Sequence, residues 1–136
     1  MVDKLLALSK NSYAPISNFH VSSIIVMNDG KEFSGVNVED ASTRAGACAE
    51  RNAIFAAITA GYKKGDFKEL YVICTDSETI STCCFVCRQL IVEFFSKDSI
   101  ITCYDKNGNY KKFTVAELCP HPFDEDDLKW KVDLLD

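Results

Sequence analysis

The stretch Cys48-Ala49-Glu50-Arg51-Asn52-Ala53-Ile54-Phe55-Ala56-Ala57-Ile58-Thr59-Ala60-Gly61 sets the frame for the rest of the chain. Residues 48–60 are rich in alanine, contain no proline or glycine, and meet Gly61 where a glycine commonly closes a helix. The stretch predicts a helix over 48–60. Upstream, residues 19–27 and 31–38 flank Asn28-Asp29-Gly30, a strong hairpin signal, so an antiparallel strand pair should precede the helix. Downstream, the apolar run 70–75 reads as a buried strand. Residues 84–96 follow as a helix with Val86, Leu90, Ile91, Phe94 and Phe95 on its apolar side.

Two more strands, 99–104 and 110–114, surround the turn Asn107-Gly108, and short helices are expected over 2–10 and 115–118. A last helix is expected over 124–132, after Pro120 and Pro122. Strands alternating with helices in this way predict an α/β fold with helices packed on a central sheet.

The 136 residues suit one domain, 1–136, and the content of 47% hydrophobic and 26% charged residues is that of a globular protein. The net charge is −5, and the only clustered basic residues are the pairs Lys63-Lys64 and Lys111-Lys112. That balance argues against a nucleic-acid partner, whose phosphates demand a basic surface. No segment has the apolar length of a membrane span and residues 1–10 do not form a signal peptide, so the expected location is the cytoplasm. Disulfides are rare there, which leaves seven cysteines to be either buried filler or chemistry. Cys74 and Cys103 sit in apolar strand-like runs and read as filler, whereas Cys48, Cys83, Cys84 and Cys87 need another account.

Cys84-Phe85-Val86-Cys87 opens one expected helix and Cys48 opens the other. Helix starts favour thiolates, because their unpaired N–H groups and positive dipole end stabilise negative charge. Cys48, Cys84 and Cys87 could thus converge on one metal ion. Zinc suits three thiolates best, and three protein ligands leave its fourth position open, as in catalytic sites. A CxxC pair alone is also found in redox motifs and structural zinc sites, but a third cysteine followed two residues later by Glu50 narrows the choice. Hydrolysis at zinc needs a group that takes and returns protons, and Glu50 can do both. Without the cysteines, Glu50 would be an ordinary helix-start glutamate complementing the dipole. Three thiolates outweigh the charge of Zn²⁺, so a cation beside the sulfurs is expected; Arg51 is favoured over Arg88 for that place.

The segments Ser17-Asn18-Phe19-His20-Val21, Gly35-Val36-Asn37-Val38-Glu39, Cys48-Ala49-Glu50-Arg51 and Cys84-Phe85-Val86-Cys87-Arg88-Gln89 resemble, in order and spacing, those of the small cytidine deaminases. The likeness runs from Tyr13-Ala14-Pro15 to Phe123 and includes the three-cysteine ligand set of the homotetrameric branch. It implies the three-layer cytidine deaminase-like fold, a mixed central sheet with helices packed on both faces. It also implies one Zn²⁺ per chain, a nucleoside substrate, and a homotetramer with sites shared between subunits. The implied reaction is hydrolytic deamination of cytidine and deoxycytidine to uridine or deoxyuridine and ammonia, in pyrimidine salvage.

Residue by residue, the resemblance implies that Asn37 and Glu39 bind the ribose, Phe19 contacts the pyrimidine, and the Ala49 N–H binds the base carbonyl. Glu50 would carry a proton first to ring N3 and then to the departing ammonia. Phe123, in Pro120-His121-Pro122-Phe123, would close the base pocket of a neighbouring subunit. Without the family, Asn37 and Glu39 would read as a strand-end polar pair, Phe19 could equally be core, and Phe123 could equally fold back onto its own chain. His20 reads as an ordinary strand residue.

The family's Pro-Cys-Gly-x-Cys is Cys83-Cys84-Phe85-Val86-Cys87 here, and its tyrosine four residues after the glutamate is Thr43. These departures leave the turn before Cys84, the pocket wall and the subunit contacts to be seen. The rival activity is deamination of another aminopyrimidine nucleoside or a nucleoside antibiotic. A rival of another class is a non-catalytic zinc module closed by Cys83 as a fourth ligand.

Overall fold

The computed structural model describes residues 1–128. Strands β1 (Val21–Met27) and β2 (Glu32–Val36) form the expected antiparallel hairpin, and Gly30 takes the left-handed φ of 89° that its turn requires. β3 (Phe67–Cys74) pairs antiparallel with β1 and parallel with β4 (Phe95–Tyr104), and β5 (Tyr110–Thr114) joins β4 antiparallel. The sheet order is β2-β1-β3-β4-β5. A parallel pair cannot be joined by a hairpin, so the chain crosses from β3 to β4 through helix α3 (Phe85–Phe94). The other helices are α1 (Val2–Ser9), α2 (Ala49–Thr59) and α4 (Val115–Leu118).

Alternation along the strands builds two apolar layers, one on each side of the sheet. Ile24, Ile73 and Tyr104 pack with Leu5 of α1. On the other face Ile25, Leu70, Val72, Ile101 and Cys103 pack with Ala53, Ile54 and Ala57 of α2, Cys87 and Ile91 of α3, and Leu118 of α4. This is the expected mixed sheet with helices on both faces. All seven cysteines are free, and Cys74 and Cys103 are buried in the strands, as their apolar settings imply.

Beyond shifts of one to three residues at the ends of other elements, β3 starting at Phe67 and β2 ending at Val36 among them, two boundaries differ from expectation. Helix 84–96 stops at Phe94 and the chain passes directly into β4 at Phe95, whose ψ of 154° is extended. No glycine or proline marks the change; Phe95 is pulled out of the helix by pairing with Phe67, against whose ring it packs at 5.2 Å. In place of a helix over 124–132, a single 3₁₀ turn spans Glu125–Asp127, capped by the Asp124 side chain, and residues 129–132 lie outside the described residues.

The start of α2 is held against β2 by close backbone approach. A Cβ on Gly35 would stand 2.4 Å from the Ala49 carbonyl oxygen and 2.5 Å from the Ala53 nitrogen. The Asn52 side chain completes the junction by donating from Nδ2 to the Val36 carbonyl at 2.8 Å. Because backbone atoms on both sides must give way, Gly35→Ala should lower stability by about 1–3 kcal/mol. Thermal unfolding of the variant checks this, and an unchanged midpoint would show that the junction does not constrain α2.

Candidate active site

Cys48 and Cys84 occupy equivalent places, as the extended N-cap residues of α2 and α3. The Cys84 sulfur accepts from the Cys87 N–H at 3.5 Å, a capping bond that orients the thiol toward the helix start. Cys84 Sγ lies 3.7 Å from Cys48 Sγ and 3.3 Å from Cys87 Sγ, and all three sulfurs fall within 4.8 Å of one another. Zinc–thiolate bonds of about 2.3 Å in a tetrahedron set sulfurs about 3.8 Å apart, so the cluster fits one zinc ion with a fourth position left over. Cys83 is not in this group: it is 2% exposed, and its thiol lies against Cys103 and Glu50. A site closed by Cys83 therefore finds no support in the geometry.

The electrostatics of the three thiols are uneven. Cys48 is pulled down to about 5, first by the Cys87 thiol hydrogen-bonded to its sulfur and then by Arg51. Cys87 is pushed in the opposite direction by that same bond and by burial. Arg51 Nη2 donates to Cys48 Sγ at 3.7 Å, the cationic contact expected from the sequence. Glu50 is 4% exposed, and its carboxyl is raised above its ordinary range, chiefly by burial and further by the Cys48 charge. A carboxyl raised in this way is suited to both accepting and returning a proton.

Cys48, Ala49, Glu50 and Cys84 open onto a cavity of about 390 Å³ that Phe19, Asn37 and Glu39 also line. Asn37 and Glu39 lie just past β2, where Val38 bridges to Tyr13 and Ala47, and alternation turns both polar side chains to the same cavity. Asn37 is locked by its neighbours: Oδ1 accepts from the Val21 N–H at 2.9 Å and from the Ser12 hydroxyl, while Nδ2 donates to the Phe19 carbonyl at 2.7 Å. Glu39 accepts from the N–H groups of Ile16 and Ser17 at 2.9 and 3.1 Å and from the Ser17 hydroxyl, which holds its carboxyl below the usual range. Ser12 and Ser17 are thus residues the sequence reading missed. Ser17 stood in a quoted motif, but its partner could be found only once the chain had folded.

Phe123 is not brought to this cavity. It is 57% exposed and lies in a separate groove beside Phe85 and Gln89, whose Nε2 donates to the Phe123 carbonyl at 2.7 Å. Arg88, the rejected candidate for the sulfurs, donates to oxygen atoms only. His20 precedes β1 instead of lying within it, and its Nδ1 pairs with Asp76 at 2.9 Å, which ties the β1 entry to the loop after β3.

Three thiols that fit one metal ion with an open position, beside a buried carboxyl at the wall of a small-molecule cavity, define a hydrolytic zinc centre on a layered α/β domain. The sequence pattern of the cytidine and deoxycytidylate deaminase zinc-binding region matches residues 1–103. The cytidine deaminase of Mycoplasma genitalium is 33% identical over 123 residues, covering 90% of this chain and 92% of that one. The cytidine deaminase of Sporosarcina psychrophila is 35% identical over 133 residues, covering 95% and 96%. The crystal structure of cytidine deaminase from Burkholderia pseudomallei superposes with a TM-score of 0.85 at 34% identity, covering 90% of this chain and 95% of that one. The chain belongs to the cytidine and deoxycytidylate deaminase zinc-binding family.

The donor set leads to a direct measurement. X-ray absorption at the zinc edge of the purified protein should show one zinc per chain with three sulfur neighbours and one lighter atom. Four sulfurs would return Cys83 to the ligand set and end the reading of an open site.

Proposed function

We propose that the chain converts cytidine and deoxycytidine to uridine and deoxyuridine, taking up water and releasing ammonia. The observation that carries this reading is that the buried Glu50 lines the same cavity as Cys48, Cys84, Asn37 and Glu39. When bound, zinc supplies Lewis acidity that makes water a usable nucleophile near neutral pH.

The chain's own residues do the rest. Asn37 and Glu39, fixed by Ser12, Ser17 and the adjoining backbone, hold the ribose hydroxyls without having to reorganise. Phe19 lies along the base. Ala49 is the first residue of α2, so its N–H has no carbonyl within the helix and donates to the base carbonyl. Glu50 takes one proton of the attacking water and delivers it to ring N3; it then takes the remaining proton from the new C4 hydroxyl and passes it to the departing amine as the C4–N bond breaks and the C4 carbonyl forms. Burial keeps that carboxyl's proton affinity high enough for both transfers. Arg51 offsets part of the negative charge of the thiolates. Among the described residues no helix is long and apolar enough to cross a membrane.

An ammonia-release screen against cytidine, deoxycytidine, cytosine, adenosine and blasticidin S tests the substrate class, with the two pyrimidine nucleosides expected to lead. Glu50→Ala should keep its zinc and lose about 10²- to 10⁴-fold or more in kcat, the contribution of one positioned acid or base. Near-normal turnover by that variant would reject Glu50 as the proton carrier.

The working unit in this proposal is a homotetramer in which Phe123 of one subunit closes the base pocket of another. Support comes from the exposed Phe123 ring, from the hydrogen bond that aims its backbone, and from its distance from its own chain's Glu50 cavity. Phe85, at 77% exposure, and Val86 are exposed in the first turn of α3, and Phe85 lines the same groove as Phe123. Stacking of an aromatic ring on a base is worth about 1–3 kcal/mol, so Phe123→Ala should lower kcat/KM by about 5- to 150-fold with zinc retained. Glu50→Ala and Phe123→Ala chains, mixed after partial denaturation and reassociation, should regain activity above the sum of the separate variants. Mixed tetramers without that gain would show that the sites are not shared.

A further inference from the structure

Cys84 and the two residues that follow it, Phe85 and Val86, are exposed, so on the Cys84 side of the buried Cys83 side chain little packing fixes the loop that carries this ligand. The polar anchor there is one guanidinium. Arg88 Nε donates to the Cys83 carbonyl at 2.7 Å, Nη2 to Thr82 Oγ1 at 2.9 Å, and Nη1 to the Leu118 carbonyl at the end of α4 at 2.7 Å. The Phe85 ring covers its face, 4.3 Å from Cζ to the ring centroid. The planar fork therefore spends all three nitrogens on oxygen acceptors that lie on two different segments. One segment leads into Cys84; the other is the last turn before the arm that bears Phe123.

Two features make this more than general support. The Cys83 carbonyl belongs to the peptide that immediately precedes Cys84, so a bond to it sets the direction in which the Cys84 side chain leaves the backbone. Thr82 also lines the cavity shared by Glu50, so the same group holds part of the pocket wall. Charge-assisted bonds of this kind are roughly twice as strong as neutral ones, and only a guanidinium offers donors in a fixed fork. Lysine could keep the charge but would have a single nitrogen for three separated acceptors.

We propose that Arg88 is the positioning residue of the metal loop: its fork anchors the peptide before Cys84 to the end of α4 and so sets the Cys84 thiol at its place in the three-sulfur cluster. The proposal rests on the reading that Cys48, Cys84 and Cys87 hold zinc, and it is independent of which nucleoside is turned over. Arg88 acts through the backbone of its own loop, whereas Arg51 acts on a sulfur directly.

The test uses the zinc-loaded protein and follows metal release to a chromophoric chelator, together with the absorption spectrum of the cobalt-substituted form. Residues that orient ligands typically contribute 10- to 100-fold in metal affinity, so R88K should release zinc about 10–100 times faster and shift the cobalt ligand-field bands. Q89A removes the neighbouring tether to the Phe123 carbonyl but no bond to the loop, and it should release zinc at the wild-type rate. Wild-type release and spectrum in R88K would overturn the proposal. Equal acceleration in R88K and Q89A would overturn it too, because the effect would then come through the arm or through general loosening. If R88K does not fold, Thr82→Val, which removes only the Nη2 acceptor, should accelerate release a few-fold, and no acceleration would count against the proposal. None of these readouts involves turnover, so a failure of the deaminase reading would leave them interpretable.

Discussion

The structure depends on bringing two helix N-termini to one point. Cys48 is the N-cap residue of α2 and Cys84 that of α3, so the positive ends of both helices face sulfur, and in α3 the Cys87 N–H donates to the Cys84 sulfur. Holding two positive helix ends together is unfavourable unless negative charge sits between them, and three thiols that can ionise supply it. The constraints on the rest follow. α2 must lie close on the sheet, which Ala53 and Ala57 permit by their size and Gly35 by its missing Cβ. α3 must cross from β3 to the parallel β4, which places its start at the end of β3 and beside α2.

Much of this was legible in the sequence because the relevant signals are local. The element order, the hairpin at Asn28-Asp29-Gly30, the helix closed by Gly61 and the strand 110–114 all rest on turn chemistry and short-range periodicity. The helix end at Phe94 was not legible, because Phe94-Phe95 suits a helix face and a buried strand equally well. A residue distant in sequence, Phe67, settles the matter by pairing with Phe95. The same holds at the site. Cys48, Glu50, Cys84 and Cys87 could be named from spacing, but the locks on Asn37 and Glu39 come from Ser12 and Ser17 across the fold.

The two arginines of the metal motifs show why residue type alone did not assign their roles. Both follow a cysteine closely and both carry the charge that thiolates need. Arg51 is three residues after Cys48, nearly one helical turn, so its side chain returns to the sulfur. Arg88 is four residues after Cys84, and its fork passes the sulfur to reach the carbonyl of Cys83. Both offsets keep arginine and cysteine on one helix face, and what separates the two is the acceptor each reaches, the Cys48 sulfur for Arg51 and the oxygens of Cys83, Thr82 and Leu118 for Arg88.

Arg51 holds its place at a cost that reveals the strength of the thiolate field. Its Nε is the buried side-chain nitrogen that lacks a hydrogen-bond partner among the described residues. An unsatisfied buried donor on a cation is normally avoided, since the lost hydration is not replaced. Here the guanidinium is kept in position by the negative charge on Cys48, with Cys87 contributing, and the same attraction raises the arginine's own proton affinity. Cys48 is lowered first by the hydrogen bond from the Cys87 thiol and then by Arg51, while the nearby Glu50 carboxyl is raised by burial and by the charge on Cys48. Within one site the lower proton affinity thus lies on Cys48, toward the cation, and the higher ones on Cys87 and on the Glu50 carboxyl. That difference sets a proton-binding carboxyl beside a thiolate, the pairing that hydrolytic chemistry at this site requires.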